Sequence, residues 1–244
     1  MRRTAALVLT AVAATACGSG RLFRQYEYEE DMYLALDGTA TVYVNSSVAA
    51  LDGLRGASFS TSPNAPLDRQ AVLAFFTTPF THDVSITTSR RSNRRFVHVR
   101  LEVDDVRRLG QAAPFAWSTY QFSRDGDLFV FRQAVGRAAE KQISEAGWTG
   151  GEVVAFRIHV PSKVVYHNAL PDNLKRGNIL VWEQSLRERD HGVPLVFDAR
   201  MQKQSILYST LRLFGATFVI VAGMFAVLIW WILRRGASMR RASA

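Results

Sequence analysis

Leu213 to Leu233 is a run of 21 residues without a charged side chain. As a helix rising 1.5 Å per residue it is roughly 31 Å long, the thickness of a bilayer's hydrocarbon core. A core helix of a soluble domain is rarely so long or so evenly apolar. Trp230 and Trp231 close the run, where an interfacial aromatic belt would lie, and Arg234, Arg235, Arg240 and Arg241 follow. The reading is one transmembrane helix at 213–233. By the positive-inside rule the basic tail at 234–244 is cytoplasmic.

The other end has the form of an export signal. Met1-Arg2-Arg3 is followed by an apolar stretch from Ala5 to Ala14, and then by Thr15-Ala16-Cys17-Gly18-Ser19-Gly20. A basic head, a short apolar stretch and small residues make a secretory signal at 1–16, too short to span a bilayer. Two processing routes are open. Ala14-Thr15-Ala16 suits ordinary signal peptidase. The same stretch before Cys17 resembles a lipobox, in which the cysteine is acylated and becomes the mature N-terminus. Cys17 is the single cysteine in the chain and the candidate lipidation site. The two ends together place 17–212 outside the cytoplasm of a bacterium, on a single-pass inner-membrane protein.

The net charge of +9 invites a nucleic-acid reading, but six of the arginines lie in the two end segments, which carry no acid. Without them 24 basic residues face 21 acidic ones, so membrane targeting accounts for most of the imbalance and no nucleic acid is expected. A single cysteine excludes a disulfide framework and any cysteine-rich zinc module. A composition 48% hydrophobic and 21% charged excludes disorder and coiled coil as the whole answer.

Between the ends the pattern is mostly of period two. Tyr26 to Leu36 and Thr39 to Val44 flank Asp37-Gly38, a two-residue hairpin signal. Asp83 to Ser89 and Arg95 to Val103 flank the tip Arg90-Arg91-Ser92-Asn93-Arg94. In the second of these Val97, Val99, Leu101 and Val103 alternate with Phe96, His98, Arg100 and Glu102. Thr119 to Ser123 and Leu128 to Val135 form a further hairpin. Glu152 to Val160, Lys163 to Tyr166, Asn178 to Leu186 and Pro194 to Arg200 complete the strands. Short helices are expected at Val48–Leu54, at Leu67–Phe76 with Pro66 at its start, and at Ala138–Ala146. The fold class is α+β: a mainly antiparallel β ectodomain at 17–200 with two or three short helices, a juxtamembrane stalk helix at 201–212, and the C-terminal transmembrane helix.

Val160-Pro161-Ser162-Lys163-Val164, then Asn168, then Gly177-Asn178-Ile179-Leu180-Val181-Trp182 resemble a segment of the mycobacterial LppM-like family of bacterial envelope lipoproteins. The layout of lipoprotein signal, β-rich exported domain, one C-terminal helix and basic tail is also similar to that family's. The resemblance implies topology and class; it implies no catalytic residue. The lipobox departs from the usual pattern in having Ala14 where leucine is common.

Motifs that carry chemistry are few. There is no phosphate loop, dinucleotide fingerprint or Gly-x-Ser-x-Gly elbow, and no cofactor is expected. His82, His98, His159, His167 and His191 lack metal-ligand spacing and read as strand-face or loop histidines, so no metal is expected. Arg90, Arg91, Arg94 and Arg95 are the densest charge cluster outside the tail: a solvated hairpin tip, or an anion contact for lipid headgroups or an acidic partner. Phe75, Phe76 and Phe80 are either helix burial or a lid over an apolar ligand pocket. In the membrane run Gly215, Ala222, Gly223 and Ala226 share one helix face, a candidate homodimer contact. The expected function is a membrane-anchored envelope lipoprotein whose β-rich domain is a non-enzymatic binding or scaffolding module for lipid or an envelope protein. The alternative is an enzyme acting on a cell-envelope component.

Overall fold

Gly38 takes φ 92° in the turn after Leu34, a backbone state that a side chain strains, and the chain reverses there. Strand β1 (Tyr26–Leu34) therefore pairs antiparallel with β2 (Ala40–Ser47). The computed structural model describes residues 25–62, 64–139, 147–169, 174–175 and 178–242, with the backbone alone at 174–175 and 233–242. Cys17, Gly177 and most of the helix expected at Ala138–Ala146 lie outside the described residues.

Helix α1 (Val48–Arg55) starts where the Ser47 hydroxyl accepts from the Ala50 amide and stops at Gly56, φ 71°. Helix α2 (Arg69–Phe76) begins two residues later than the expected Leu67. The Asp68 carboxylate accepts from the Gln70 and Ala71 amides, so it rather than Pro66 sets the start. Next come β3 (His82–Arg91) and β4 (Arg94–Val103), joined by Ser92 and Asn93, both at positive φ (48° and 59°). That two-residue turn puts Arg90, Arg91 and Arg94 of the expected tip inside the strands, with Arg90 opposite Arg95 and Arg91 opposite Arg94. After two 3₁₀ turns, Val106–Gln111 and Ala113–Phe115, come β5 (Ser118–Asp125), β6 (Leu128–Val135), β7 (Val153–His159), β8 (Ser162–His167), β9 (Leu174–Lys175) and β10 (Ile179–Ser185). The chain finishes with α3 (Leu186–Asp190), β11 (Leu195–Ser205) and α4 (Ile206–Ala242).

One sheet runs β3-β4-β2-β1-β7-β10-β9 and the other β5-β6-β11-β8. Pairing is antiparallel except between β1 and β7, which run parallel, Glu30 beside Phe156 and Met32 beside Ile158. Alternation along β4 is as the sequence implies, with Val97, Val99, Leu101 and Val103 buried. Phe197 of β11 joins the two layers, stacking on Trp182 at 4.6 Å and lying 5.2 Å from Phe156. Burying such a ring contributes roughly 1.5–3 kcal/mol.

The expected stalk helix at 201–212 is half strand. Met201 and Gln202 pair with Phe129 and Leu128 of β6, and Ser205 with Ser162 of β8, so β11 extends to Ser205. Helix α4 follows without a connecting loop, and the Ile206 amide donates to the Pro161 carbonyl at 3.0 Å. From Ile206 to Ile232 it is long and apolar enough to cross a membrane, with mean hydropathy 2.4. None of that span is buried against the domain.

An ion pair lies in the interior. Arg55, the last residue of α1, points inward and meets Glu30 at 2.6 Å and the Tyr28 hydroxyl. Its guanidinium lies 3.6 Å over the Trp117 ring. Tyr120 and Gln133, from the second sheet, donate to the other Glu30 oxygen at 3.2 and 3.3 Å. Burial pushes the Glu30 carboxyl up to about 7, while those two hydrogen bonds pull it down and Asp31 pushes it further up. Burial likewise drives Arg55 well below its ordinary value.

Candidate functional site

A polar cleft of about 660 Å³ opens where five segments end together. The start of β1 brings Gln25 and the start of β4 brings Arg94. The loop before β7 brings Gly147, Thr149, Gly151 and Glu152. The end of β10 brings Glu183, Gln184 and Ser185, and α3 brings Glu188. Beneath the cleft Glu27 is fully buried, yet three donors hold it: Arg94, Gln25 at 2.9 Å and the Trp148 indole at 3.0 Å. Arg94 also donates to the Gly147 carbonyl at 2.7 Å and lies 3.6 Å from Glu152. One guanidinium thus fastens the loop to the sheet.

The Glu152 carboxylate folds back on its own loop and accepts from the Thr149 and Gly150 amides, both at 2.8 Å. Gly150 has φ 84°, a conformation that favours glycine, and a Cβ there would lie 2.8 Å from Arg187 Nε, so that side chain would have to shift. On the opposite wall Ser185 and Glu188 form a reciprocal capping box at the start of α3. Tyr26 donates its hydroxyl to Glu183 at 2.9 Å.

These contacts decide the charge states. Burial alone would raise Glu152, but the amides of Thr149, Glu152 and Gly150, with Arg94 beside them, hold it below the ordinary range. The Ser185 hydroxyl and amide lower Glu188 in the same way. Ionised carboxylates only accept, so the cleft suits a ligand that donates: hydroxyls, amides or ammonium groups. Among the described residues, no group of three or more His, Cys, Asp or Glu side chains is placed to hold a metal ion.

The residues singled out from the sequence fall in several places. Of the arginine cluster only Arg94 enters the cleft. Arg95 donates to the Ala65 and Ser60 carbonyls, and Arg91 to the Tyr26 carbonyl at 2.8 Å with its head 4.8 Å over Phe96. Phe76 is 1% exposed and packs edge-on to Phe75 and Phe115; Phe75 and Phe80 pack against the core from its margin. Gly215 and Gly223 sit on α4 with open space where a Cβ would go, and neighbouring Phe218 is 74% exposed. His159 stacks on Tyr33 at 3.9 Å, and burial lowers its imidazole. His82 lies 3.8 Å from Asp104.

No family model matches the chain, and no curated protein matches it in sequence. Among solved structures, the chain is similar to the folded domain of the Mycobacterium tuberculosis LppM protein, determined by NMR. The likeness covers 76% of this chain and 95% of that one, at 8% identity and a TM-score of 0.43. That protein belongs to the family the 160–182 segment resembles. The likeness is loose, and neither the architecture nor the cleft chemistry rests on it.

Glu27, Glu152 and Trp148 carry no functional motif in the sequence. Their partners are 67 residues away in the case of Glu27 and Arg94, and 121 for Glu27 and Trp148. The legible signals were Ser185-x-x-Glu188, which is a capping box, and the closely spaced glycines at 147–151.

Proposed function

We propose that this chain is a membrane-anchored envelope protein, acylated at Cys17, whose extracytoplasmic domain binds a hydrophilic, donor-rich envelope component in the Arg94–Glu152–Glu183 cleft. The position of the cleft carries the reading. Val153, at the start of β7, lines it, whereas Pro161, just past the end of β7, is bonded to the first residue of α4. At ~3.3 Å per residue those points are about 26 Å apart along the strand. With α4 in the membrane and the tail inside, the cleft opens at the end of the domain far from the bilayer.

The lining supports a sugar- or amine-bearing ligand over an acyl chain, since carboxylates, amides and glycine backbone dominate it. Calorimetric titration of the full chain in nanodiscs with a soluble disaccharide–peptide fragment of cell wall tests the reading. Binding that weakens at least tenfold in Glu183→Gln supports it. Heat indistinguishable from dilution with such fragments overturns it.

A further inference from the structure

On the outer face of the larger sheet, three side chains from three adjacent strands form a continuous hydrogen-bond line. Asn45 of β2 stands directly opposite His98 of β4, and its Oδ1 lies 2.9 Å from His98 Nδ1. On the far side of the ring, His98 Nε2 lies 2.8 Å from the Ser89 hydroxyl of β3. The amide oxygen of Asn45 can only accept, so Nδ1 carries the ring proton. That leaves the Nε2 lone pair facing the serine hydroxyl. A hydroxyl within reach of a base, with the base oriented by a third group, is the arrangement that activates a nucleophile.

The surroundings fit this use. A pocket of about 200 Å³ lies over the line, walled by Tyr26, Glu29, Arg91 and Phe96 as well as the three residues. Ser89 is exposed on β3, the edge strand of its sheet, so a substrate reaches it from the open side. Arg91 is two residues further along the same strand face, its guanidinium held by the Tyr26 carbonyl and the Phe96 ring. Its positive charge lines the same pocket as the Ser89 hydroxyl.

We infer that Ser89, His98 and Asn45 form an ester-hydrolysing site for small acyl groups. Ser89 Oγ attacks the ester carbonyl as its proton passes to His98 Nε2. The ester C–O bond breaks, the alcohol leaves with that proton, and the acyl group remains on Ser89. Water, deprotonated by the same nitrogen, then releases the carboxylic acid and restores the hydroxyl. Ester and water give acid and alcohol, with no redox partner. Ser89 and His98 are the catalytic residues; Asn45 is a positioning residue. Tyr26 lines this pocket, and its hydroxyl bonds Glu183 of the cleft. The activity stands without the binding reading, and the two have separate readouts.

The test uses the full chain in detergent with a fluorophosphonate probe, peptide mapping, and p-nitrophenyl acetate hydrolysis. Label on Ser89 and its loss in Ser89→Ala are expected, with His98→Gln reacting at least 100-fold more slowly. Asn45→Ala should lower kcat at unchanged KM, and Asn45→Asp should restore it. Circular dichroism and thermal melts of each variant separate lost chemistry from lost fold. Absence of label on folded wild type, label on another residue, or hydrolysis equal in folded wild type and Ser89→Ala overturns the assignment.

Discussion

Arg55, at the end of α1, meets Glu30 of β1 at 2.6 Å and lies 3.6 Å over the Trp117 ring, so one guanidinium contacts a carboxyl and an indole in the centre of the domain. The folded-state value of Glu30, about 7, is above its ordinary 4.5. The folded chain therefore keeps this proton over a range in which the unfolded chain releases it. The stability it contributes is complete below pH 4.5 and is lost as the pH climbs through 7. Chemical denaturation between these values should show stability declining with pH, at up to about 1.4 kcal/mol per unit from this group. Glu30→Gln should flatten the slope; an unchanged slope would refute the assignment.

Arg94 and Arg107 make contrasting ion pairs. Arg94 joins the buried Glu27, while Arg107 joins Asp105 at the surface. Removing Arg94 leaves a buried carboxylate uncompensated, a loss of roughly 3–5 kcal/mol. Arg94→Ala should lower the Tm by many degrees and Arg107→Ala should leave it unmoved. Equal melting temperatures for the two would remove Arg94 from its fastening role.

Gly150→Ala meets the strain of φ 84° and the Arg187 side chain together. We expect a loss of about 1–3 kcal/mol in unfolding free energy, with weakened ligand binding at the cleft. Gly126→Ala is the control for strain alone, since φ is 55° and nothing lies within 4 Å of the added carbon. A deficit no larger at Gly150 would show that the Arg187 contact is immaterial.

Intact mass of the membrane-extracted protein should correspond to a chain that begins at Cys17 and carries acyl groups. A mature N-terminus at an unmodified Cys17 would refute lipidation.

If α4 crosses the bilayer, Gly223→Leu should weaken its self-association and Leu228→Ala should not, because close backbone approach over small residues replaces hydrophobic drive in lipid. An in-membrane reporter assay finding the isolated helix monomeric would reduce it to an anchor.

The hairpins were legible because their information is local: Asp37-Gly38 sets a turn, and the valines of β4 alternate with polar residues. The apolar helix was legible for the same reason. The parallel pairing of β1 with β7 was not, since it joins Glu30 to Phe156 across several other strands and no short-range pattern encodes it. Of helix α3 only Leu186 falls within an expected strand, and its five residues are too few for a periodic signal beside a visible capping box. The cleft and the serine–histidine line were hidden for a topological reason. Asn45 and His98 are 53 positions apart in the chain and become neighbours only when β2 and β4 pair. His98, read alone, was one more polar residue on a strand face.

The junction at Ser205–Ile206 has a mechanical meaning. Strand passes to helix without a flexible segment, and the Ile206–Pro161 hydrogen bond clamps the corner. A receptor on a loose tether sweeps a volume; one welded to its anchor works at a single altitude. If α4 is fixed in the bilayer, the cleft samples a thin stratum of the envelope no more than about 26 Å beyond the junction, and its partner is selected by depth as well as by chemistry.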